Sequence, residues 1–117
     1  MATVAITVNG AEAGNIFPAF ILGSSAAACG DDVVLFFTPG GAPALVKGQL
    51  EKMKAKGMPD LMELYEGLCV LGGRLIVCEL ALTAKDIKVE DFIDGVEIMG
   101  ATSFLGEIGD AHITFSF

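Results

Sequence analysis

The sequence is short of the side chains from which catalytic sites are commonly built. It contains one histidine, His112, and one tyrosine. A Ser-His-Asp or Cys-His catalytic group would have to use His112, which begins the last predicted strand and has no evident link to a nucleophile. We therefore predict a surface or structural role for this histidine.

Positive charge is also scarce. Seven Lys and Arg residues stand against 15 Asp and Glu residues, and the net charge is −8. Such a chain has no basic field to hold phosphates, so we predict no nucleic-acid partner. No Lys or Arg precedes Lys47, and four lysines fall between Lys47 and Lys56. We interpret this cluster as a solvated helix face, with a docking patch for a partner as the alternative.

Cysteine is sparse and odd in number. Cys29, Cys69 and Cys78 predict no disulfide framework, and their spacing is not that of a metal site. Free thiols indicate a reducing compartment, so we predict a cytoplasmic protein. The apolar segment from Ile16 to Cys29 has no basic start, contains Pro18 and is shorter than the roughly 20 residues that span a bilayer. We predict neither a signal sequence nor a membrane span.

Apolar residues, by contrast, are abundant. They make up 53% of the 117 residues, and the mean hydropathy is +0.64. This is more apolar surface than one small interior buries, so we predict a homo-oligomer: a dimer, trimer or hexamer. The predicted helix from Ile16 to Cys29 is apolar on most sides and is expected to face a neighbouring subunit. On this interpretation, Phe20→Asp should weaken assembly.

Strand and helix patterns alternate along the whole chain. The predicted strands are Thr3–Val8, Val33–Phe37, Leu75–Cys78, Gly95–Met99 and His112–Phe117, and the predicted helices cover residues 16–29, 44–55, 61–71, 80–85 and 101–108. Asn15 and Asp60 are predicted to cap the first and third helices, with Pro18 in the first turn. The alternation predicts one α/β domain over residues 1–117. We expect a doubly wound, mostly parallel sheet of about five strands with helices on both faces.

The stretch Gly73–Glu79 is the leading candidate for chemistry. A short, fully apolar run ends at Cys78, and Glu79 and a helix-prone segment follow. In open α/β sheets ligands bind at the carboxyl ends of the strands, where this sulfur is predicted to lie. A helix starting there would stabilise a thiolate, whereas an inward-pointing Glu79 would oppose it. A buried structural cysteine remains the alternative, and Cys29 and Cys69 are predicted to be packed and protonated.

The loops after the first two strands supply other candidates. Asn9, Thr38 and Gly40, together with Glu79, are predicted to line a small-ligand site at the same sheet edge. The backbone N–H groups of the loop 38–43 could hold an anion, although glycines also serve a tight strand-to-helix turn. The chain lacks G-x-G-x-x-G and a Walker lysine after the first strand, and we predict no cofactor.

Three segments carry a resemblance to a known family. They read AAACGDDVVLFFT from Ala26, LGGRLIVC from Leu71 and EDFIDGVEIMGA from Glu90. In their order and spacing they resemble the DsrE/DsrF-like family of small sulfur-relay proteins, especially its DsrE2-like branch. The sequence departs from the family pattern at Glu79, where an amide-bearing residue is common, at Asp86, where glycine is common, and in the loop Pro39–Gly41, where an aromatic residue is common.

The resemblance implies a flavodoxin-like or DsrEFH-like α/β sandwich that forms oligomers. It also implies that the cysteine matching Cys78 carries sulfane sulfur as a persulfide, with donor and acceptor proteins as partners. The expected function is therefore sulfur relay. A non-enzymatic module that binds a small ligand, or a structural oligomer of the same fold, is the alternative.

Overall fold

The structure, a computed structural model, describes residues 2–117 and is built on one parallel sheet. The strands are β1 (Thr3–Val8), β2 (Asp32–Phe37), β3 (Arg74–Cys78), β4 (Glu97–Met99) and β5 (Ile113–Ser116). Their order in the sheet is β4-β3-β2-β1-β5, and every neighbouring pair is parallel. The predicted doubly wound sheet of five strands is confirmed.

The helices lie unequally on the two faces of this sheet. They are α1 (Ala13–Ala28), α2 (Gln49–Lys52), α3 (Leu61–Val70), α4 (Leu80–Ala84) and α5 (Ala101–Glu107), with 3-10 turns at Ala42–Leu45 and Val89–Asp91. The first three crossovers each step to the next strand in one direction, and the fourth returns across the whole sheet. Because such crossovers are right-handed, the return places its helix on the opposite side. We call the face under α1, α3 and α4 the first face, and the face under α5 the second face.

The first face carries most of the core. Alternate residues of β1, β2 and β3 point into it, and α1 packs against the sheet on one side and against α3 on the other. Phe20 of α1 is fully buried, with its ring 6.2 Å from that of Phe37 and 6.4 Å from that of Tyr65. The all-round apolar pattern of α1 is thus explained within one chain and is no evidence for a neighbouring subunit.

The second face has a smaller core. Its buried side chains are Val34 and Phe36 of β2, Ile76 and Cys78 of β3, and Phe104 of α5. The rings of Phe36 and Phe104 stack with centroids 4.1 Å apart. Of the helices within residues 2–117, α5 alone contributes to this cluster.

The predicted start of the first helix is wrong. Helix α1 begins at Ala13 with Glu12 as its N-cap, and the N–H of Asn15 already donates to the Glu12 carbonyl at 2.9 Å. Pro18 consequently lies in the second turn, where its missing N–H leaves the carbonyl of the exposed Gly14 without a helical partner. Asp60 does cap α3, accepting a hydrogen bond from the Met62 N–H.

The single helix predicted over residues 44–55 is also wrong. Val46 is extended and bridges to Phe92, and Gly48 adopts a φ of +86°, which a continuing helix does not allow. The four lysines from 47 to 56 are exposed, but only Lys52 lies in a helix, so no lysine-bearing helix face exists.

The last strand is more exposed than its alternating pattern predicts. β5 is an edge strand, as expected, but Ile113 and Phe115 are 43% and 37% exposed. They share the first face with Val4 and Ile6, their register partners on β1, yet the helices of that face lie over the other strands. None of the helices within residues 2–117 is both long and apolar enough to cross a bilayer.

Candidate functional site

All the strands end along one edge of the sheet, which we call the carboxyl edge. In the order of the strands from β4 to β5, the residues there are Gly100, Cys78 with Glu79, Thr38, Asn9 and Phe117. The structure therefore brings the predicted site residues to the same edge, with Glu79 on one side of β2 and Asn9 on the other.

Asn9 and Thr38 are hydrogen-bonded to each other, and Gly40 packs against Asn9. The Thr38 hydroxyl lies 2.6 Å from Asn9 Oδ1 and 3.2 Å from the Val8 carbonyl oxygen. Gly40 packs directly against the backbone carbonyl of Asn9 and leaves no room for a side chain. These groups thus tie the end of β2 to the end of β1.

The glycine loop after β2 uses its N–H groups internally. The N–H groups of Gly41 and Ala42 both donate to the Thr38 carbonyl, each at 2.9 Å. A side chain at Gly41 would meet the Val8 carbonyl. The structural use of these glycines therefore accounts for the loop, and two of the donors considered for an anion are already occupied.

Cys78 lies at the end of β3 with its side chain on the second face. It is 4% exposed, is paired with Met99 of β4 and packs in the cluster that includes Phe104. Helix α4 follows at once, but it is five residues long and packs on the first face through Ala81. The helix expected to stabilise a thiolate thus lies on the other side of the sheet from the Cys78 side chain.

Sequence reasoning predicted the helix α5 but did not place it at the candidate site. It contributes Phe104 to the cluster that contains Cys78, and it begins beside Glu79, since a side chain at Gly100 would come within 3.0 Å of Glu79 Oε1. Glu79 is exposed, and its N–H donates to the Met99 carbonyl at 3.1 Å. Its carboxylate therefore lies at the start of α5. The reversed crossover between β4 and β5 would have predicted the face on which α5 packs. That crossover depends on the strand order, which the sequence pattern does not reveal.

The other two cysteines lie at the opposite, amino edge of the sheet, and both are exposed. The prediction that they are packed is wrong. Cys29 follows the last residue of α1, and Cys69 stands one position after the buried Leu68, so it is rotated away from the core. Desolvation raises the pKa of the Cys69 thiol, and a hydrogen bond with Tyr65 opposes this only in part. The raised pKa favours the protonated form of this thiol.

The amino edge also holds a charged cluster and the histidine. Arg74 donates from Nε and Nη2 to the two carboxylate oxygens of Glu97, at 2.9 and 2.8 Å, and from Nη1 to Glu107 at 3.2 Å. These hydrogen bonds lower the pKa of Glu97. His112 accepts a hydrogen bond from the Thr3 N–H at 3.1 Å, so it lies at the edge opposite Cys78.

The backbone conformation at Asp86 accounts for one departure from the family pattern. It follows the C-cap of α4 with a φ of +52°, in the left-handed region that glycine adopts most easily. The glycine common in the family and the aspartate of this chain therefore suit the same backbone turn. The change is conformational, and it lies away from the sulfur of Cys78.

Neither of two surface cavities contains the predicted site residues. One, of about 210 Å³, is lined at the amino edge by Arg74, Asp32 and Glu107, among others. The second, of about 240 Å³, lies between Phe17 of α1 and Met58. Within the described part of the chain, no three His, Cys, Asp or Glu side chains are grouped so that they could hold a metal ion.

Comparison with known proteins agrees with this architecture. A sequence model of the DsrE/DsrF/DrsH-like family matches residues 44–115. The sulfur carrier protein DsrE2 of Allochromatium vinosum is 28% identical over 137 aligned residues, which cover 83% of this chain and 86% of that protein. An uncharacterized protein of Methanocaldococcus jannaschii is 28% identical over 79 residues, covering 68% of this chain but only 29% of that relative.

Two solved structures share the fold. The crystal structure of the ychN protein from E. coli superposes with a TM-score of 0.79 at 21% identity, over 100% of both chains. A protein of unknown function from Methanobacterium thermoautotrophicum gives a TM-score of 0.74 at 11% identity, over 98% of this chain and 97% of the other. At these identities the likeness concerns the fold alone.

Proposed function

The chain belongs to the DsrE/DsrF/DrsH-like family, and from this premise we propose that it is a sulfur-relay protein that carries sulfane sulfur as a persulfide on Cys78. The observation that carries the proposal is the position of this thiol. Cys78 ends an inner strand at the carboxyl edge, where this class of fold binds its ligands, whereas Cys29 and Cys69 lie at the amino edge. The similarity to a sulfur carrier protein supports the same role.

The proposed chemistry is thiol–persulfide exchange. The Cys78 thiolate attacks the outer sulfur of a donor persulfide, the bond between the two donor sulfurs breaks, and the donor leaves as a thiolate. Cys78 then holds the outer sulfur in a new S–S bond. A thiolate of an acceptor protein attacks that same sulfur and regenerates the Cys78 thiolate, so no external oxidant or reductant is needed. The partners are accordingly a donor persulfide and an acceptor thiol.

We further propose a cytoplasmic homo-oligomer, a dimer, trimer or hexamer. Three free cysteines fit a reducing compartment. The exposed Ile113 and Phe115 lie on an edge strand whose residues 113–117 carry no charged side chain, in a chain of net charge −8. Electrostatic repulsion between two copies is therefore smallest where their β5 strands meet. Light scattering that gives a monomer at micromolar concentration would contradict this part of the proposal.

The rival interpretation as a ligand-binding module rests on Asn9, Thr38 and Gly40. The Thr38 hydroxyl is bonded to Asn9 and Gly40 packs against the Asn9 backbone, so these residues have a structural use and no observation favours this interpretation.

Intact-mass spectrometry after incubation with inorganic polysulfide tests the relay. The exposed thiols are first removed by Cys29→Ser and Cys69→Ser, which are expected to leave the fold unchanged. This double variant should gain the mass of one sulfur atom and lose it to an added thiol. The triple variant with Cys78→Ser is the matched control and should gain none. No gain by the double variant, even after long incubation, would show that Cys78 does not carry sulfur.

A further inference from the structure

The buried position of Cys78 raises a question of access. The residue is 4% exposed, and its side chain packs among apolar neighbours on the second face. Sulfur exchange requires the attacking sulfur and the donor sulfur to come into contact. In the structure as described, a partner protein cannot reach this thiol.

Phe104 is the buried residue that α5 contributes to the cluster containing Cys78. Phe104 is 3% exposed and stacks on Phe36, and the partly buried Met99 and Ile108 pack against the same cluster. Phe36 and Met99 belong to the sheet, whereas Phe104 and Ile108 belong to α5 and its C-cap. Displacement of α5 would therefore remove the helical side of this cluster and leave the strands in place.

The attachment of α5 is weak. It has seven residues, and Phe104 is the one among them that is buried; Leu105 is 63% exposed. So short a helix is not stable without tertiary contacts. Besides the apolar contacts of Phe104 and Ile108, the helix is held by the Glu107–Arg74 ion pair, between side chains that are 44% and 36% exposed. Helix α1, in comparison, buries six of its residues.

The ends of α5 suit a hinged movement. Gly100 is its N-cap, no side chain caps it, and Gly109 follows its C-cap Ile108. Gly106 lies within the helix and lowers its intrinsic stability. Segments with few buried contacts open at lower free energy than the rest of a fold.

From these observations we infer that α5 is a movable cover over Cys78, with Phe104 as the residue that controls access to the thiol. Its biological meaning rests on the proposed sulfur relay. The closed form protects a bound sulfur from solvent thiols, and the open form presents Cys78 at the carboxyl edge of β3.

Alkylation kinetics test this inference in the Cys29→Ser, Cys69→Ser background, where Cys78 is the one remaining thiol. Iodoacetamide should modify the native protein much more slowly than the unfolded chain. Phe104→Ala should raise the native rate at least about tenfold, because the covering ring is lost. Glu107→Gln, which weakens the outer attachment, should raise it about two- to fivefold.

The control is Leu105→Ala on the same helix, since the side chain is exposed and makes no contribution to the buried cluster. It should change the rate by less than about twofold. Phe104→Leu keeps an apolar side chain at this position and should retain most of the protection of Cys78. It is measured in place of Phe104→Ala if that variant does not fold. The native rate should depend on urea much less steeply than global unfolding does.

Three results would overturn the cover. Cys78 could react as fast as in the unfolded chain, it could react only with the urea dependence of global unfolding, or Phe104→Ala could behave like Leu105→Ala. Sulfur uptake by the same variants separates the two proposals. Fast alkylation of Phe104→Ala without sulfur uptake supports the cover and refutes the relay. Sulfur uptake with no effect of Phe104→Ala on the alkylation rate supports the relay and refutes the cover.

Discussion

Replacement of Gly40 by alanine tests whether the carboxyl edge between β1 and β2 is a structural joint. A methyl group at this position would collide with the backbone carbonyl oxygen of Asn9. That carbonyl cannot retreat easily, because the Asn9 N–H donates to Phe117 at 2.7 Å and its side chain bonds Thr38 at 2.6 Å. Gly40→Ala must therefore shift the loop or break one of these hydrogen bonds.

The expected magnitude follows from two opposing effects. Forcing a methyl group into a packed site costs about 1–3 kcal/mol. Alanine also lowers the conformational entropy of the unfolded chain, which stabilises the folded protein by roughly 0.4–1 kcal/mol. We expect Gly40→Ala to lower the free energy of unfolding by about 1–2 kcal/mol. The urea midpoint should fall by about 1 M with an unchanged m-value.

Gly67→Ala is the matched control for this change. Gly67 lies in the interior of α3, and no atom stands within 4 Å of the position that its methyl group would take. The same chemical change should therefore stabilise the protein by up to about 1 kcal/mol. If Gly40→Ala were as stable as the wild type while Gly67→Ala gained stability, the joint at Asn9 would not exist as described.

Three further predictions concern stability. Phe20→Asp should abolish cooperative unfolding in circular dichroism, because it removes a fully buried ring and adds an unpaired charge, which together cost more than about 5 kcal/mol; a folded variant with only weaker assembly would contradict this. Asp86→Gly relieves a φ of +52° and should raise the free energy of unfolding by up to about 1 kcal/mol; a loss in urea denaturation would give the aspartate side chain a role of its own. The pKa of Glu97 is lowered by hydrogen bonds from Arg74, so its stabilisation is present above the ordinary glutamate pKa and is lost as pH falls through the lowered value. Glu97→Gln should therefore cost at most about 1 kcal/mol at neutral pH, since both side chains are more than a third exposed, and nothing in strong acid; an equal cost at both pH values would contradict the assignment.

Local sequence patterns predicted the structure correctly where the residues of one segment determine its conformation. The β-branched run Thr3–Val8 and the apolar runs of β2 and β3 form strands where predicted, because a continuous apolar stretch suits a strand covered on both faces. The Asp60 cap marks the start of α3 in the same way. The alternation of these elements was also enough to predict the parallel sheet.

Local patterns failed where distant contacts compete with propensity. The segment 44–55 has helix-forming residues, yet Val46 bridges to Phe92 and Gly48 turns in the left-handed region. The apolar sides of α1 suggested a second subunit, yet α3 of the same chain covers them. Sequence spacing does not state which elements become neighbours.

For the candidate site, the sequence by itself determined that Cys78 ends a buried strand at the carboxyl edge, since that depends only on the length of the apolar run and the parallel arrangement. Only the tertiary structure decided that its side chain lies on the second face in one cluster with Phe104, and that Cys29 and Cys69 are exposed instead. The physical reason is the reversed crossover from β4 to β5. Right-handed connections carry α5 to the face that the other helices leave open, and this depends on the order of all five strands.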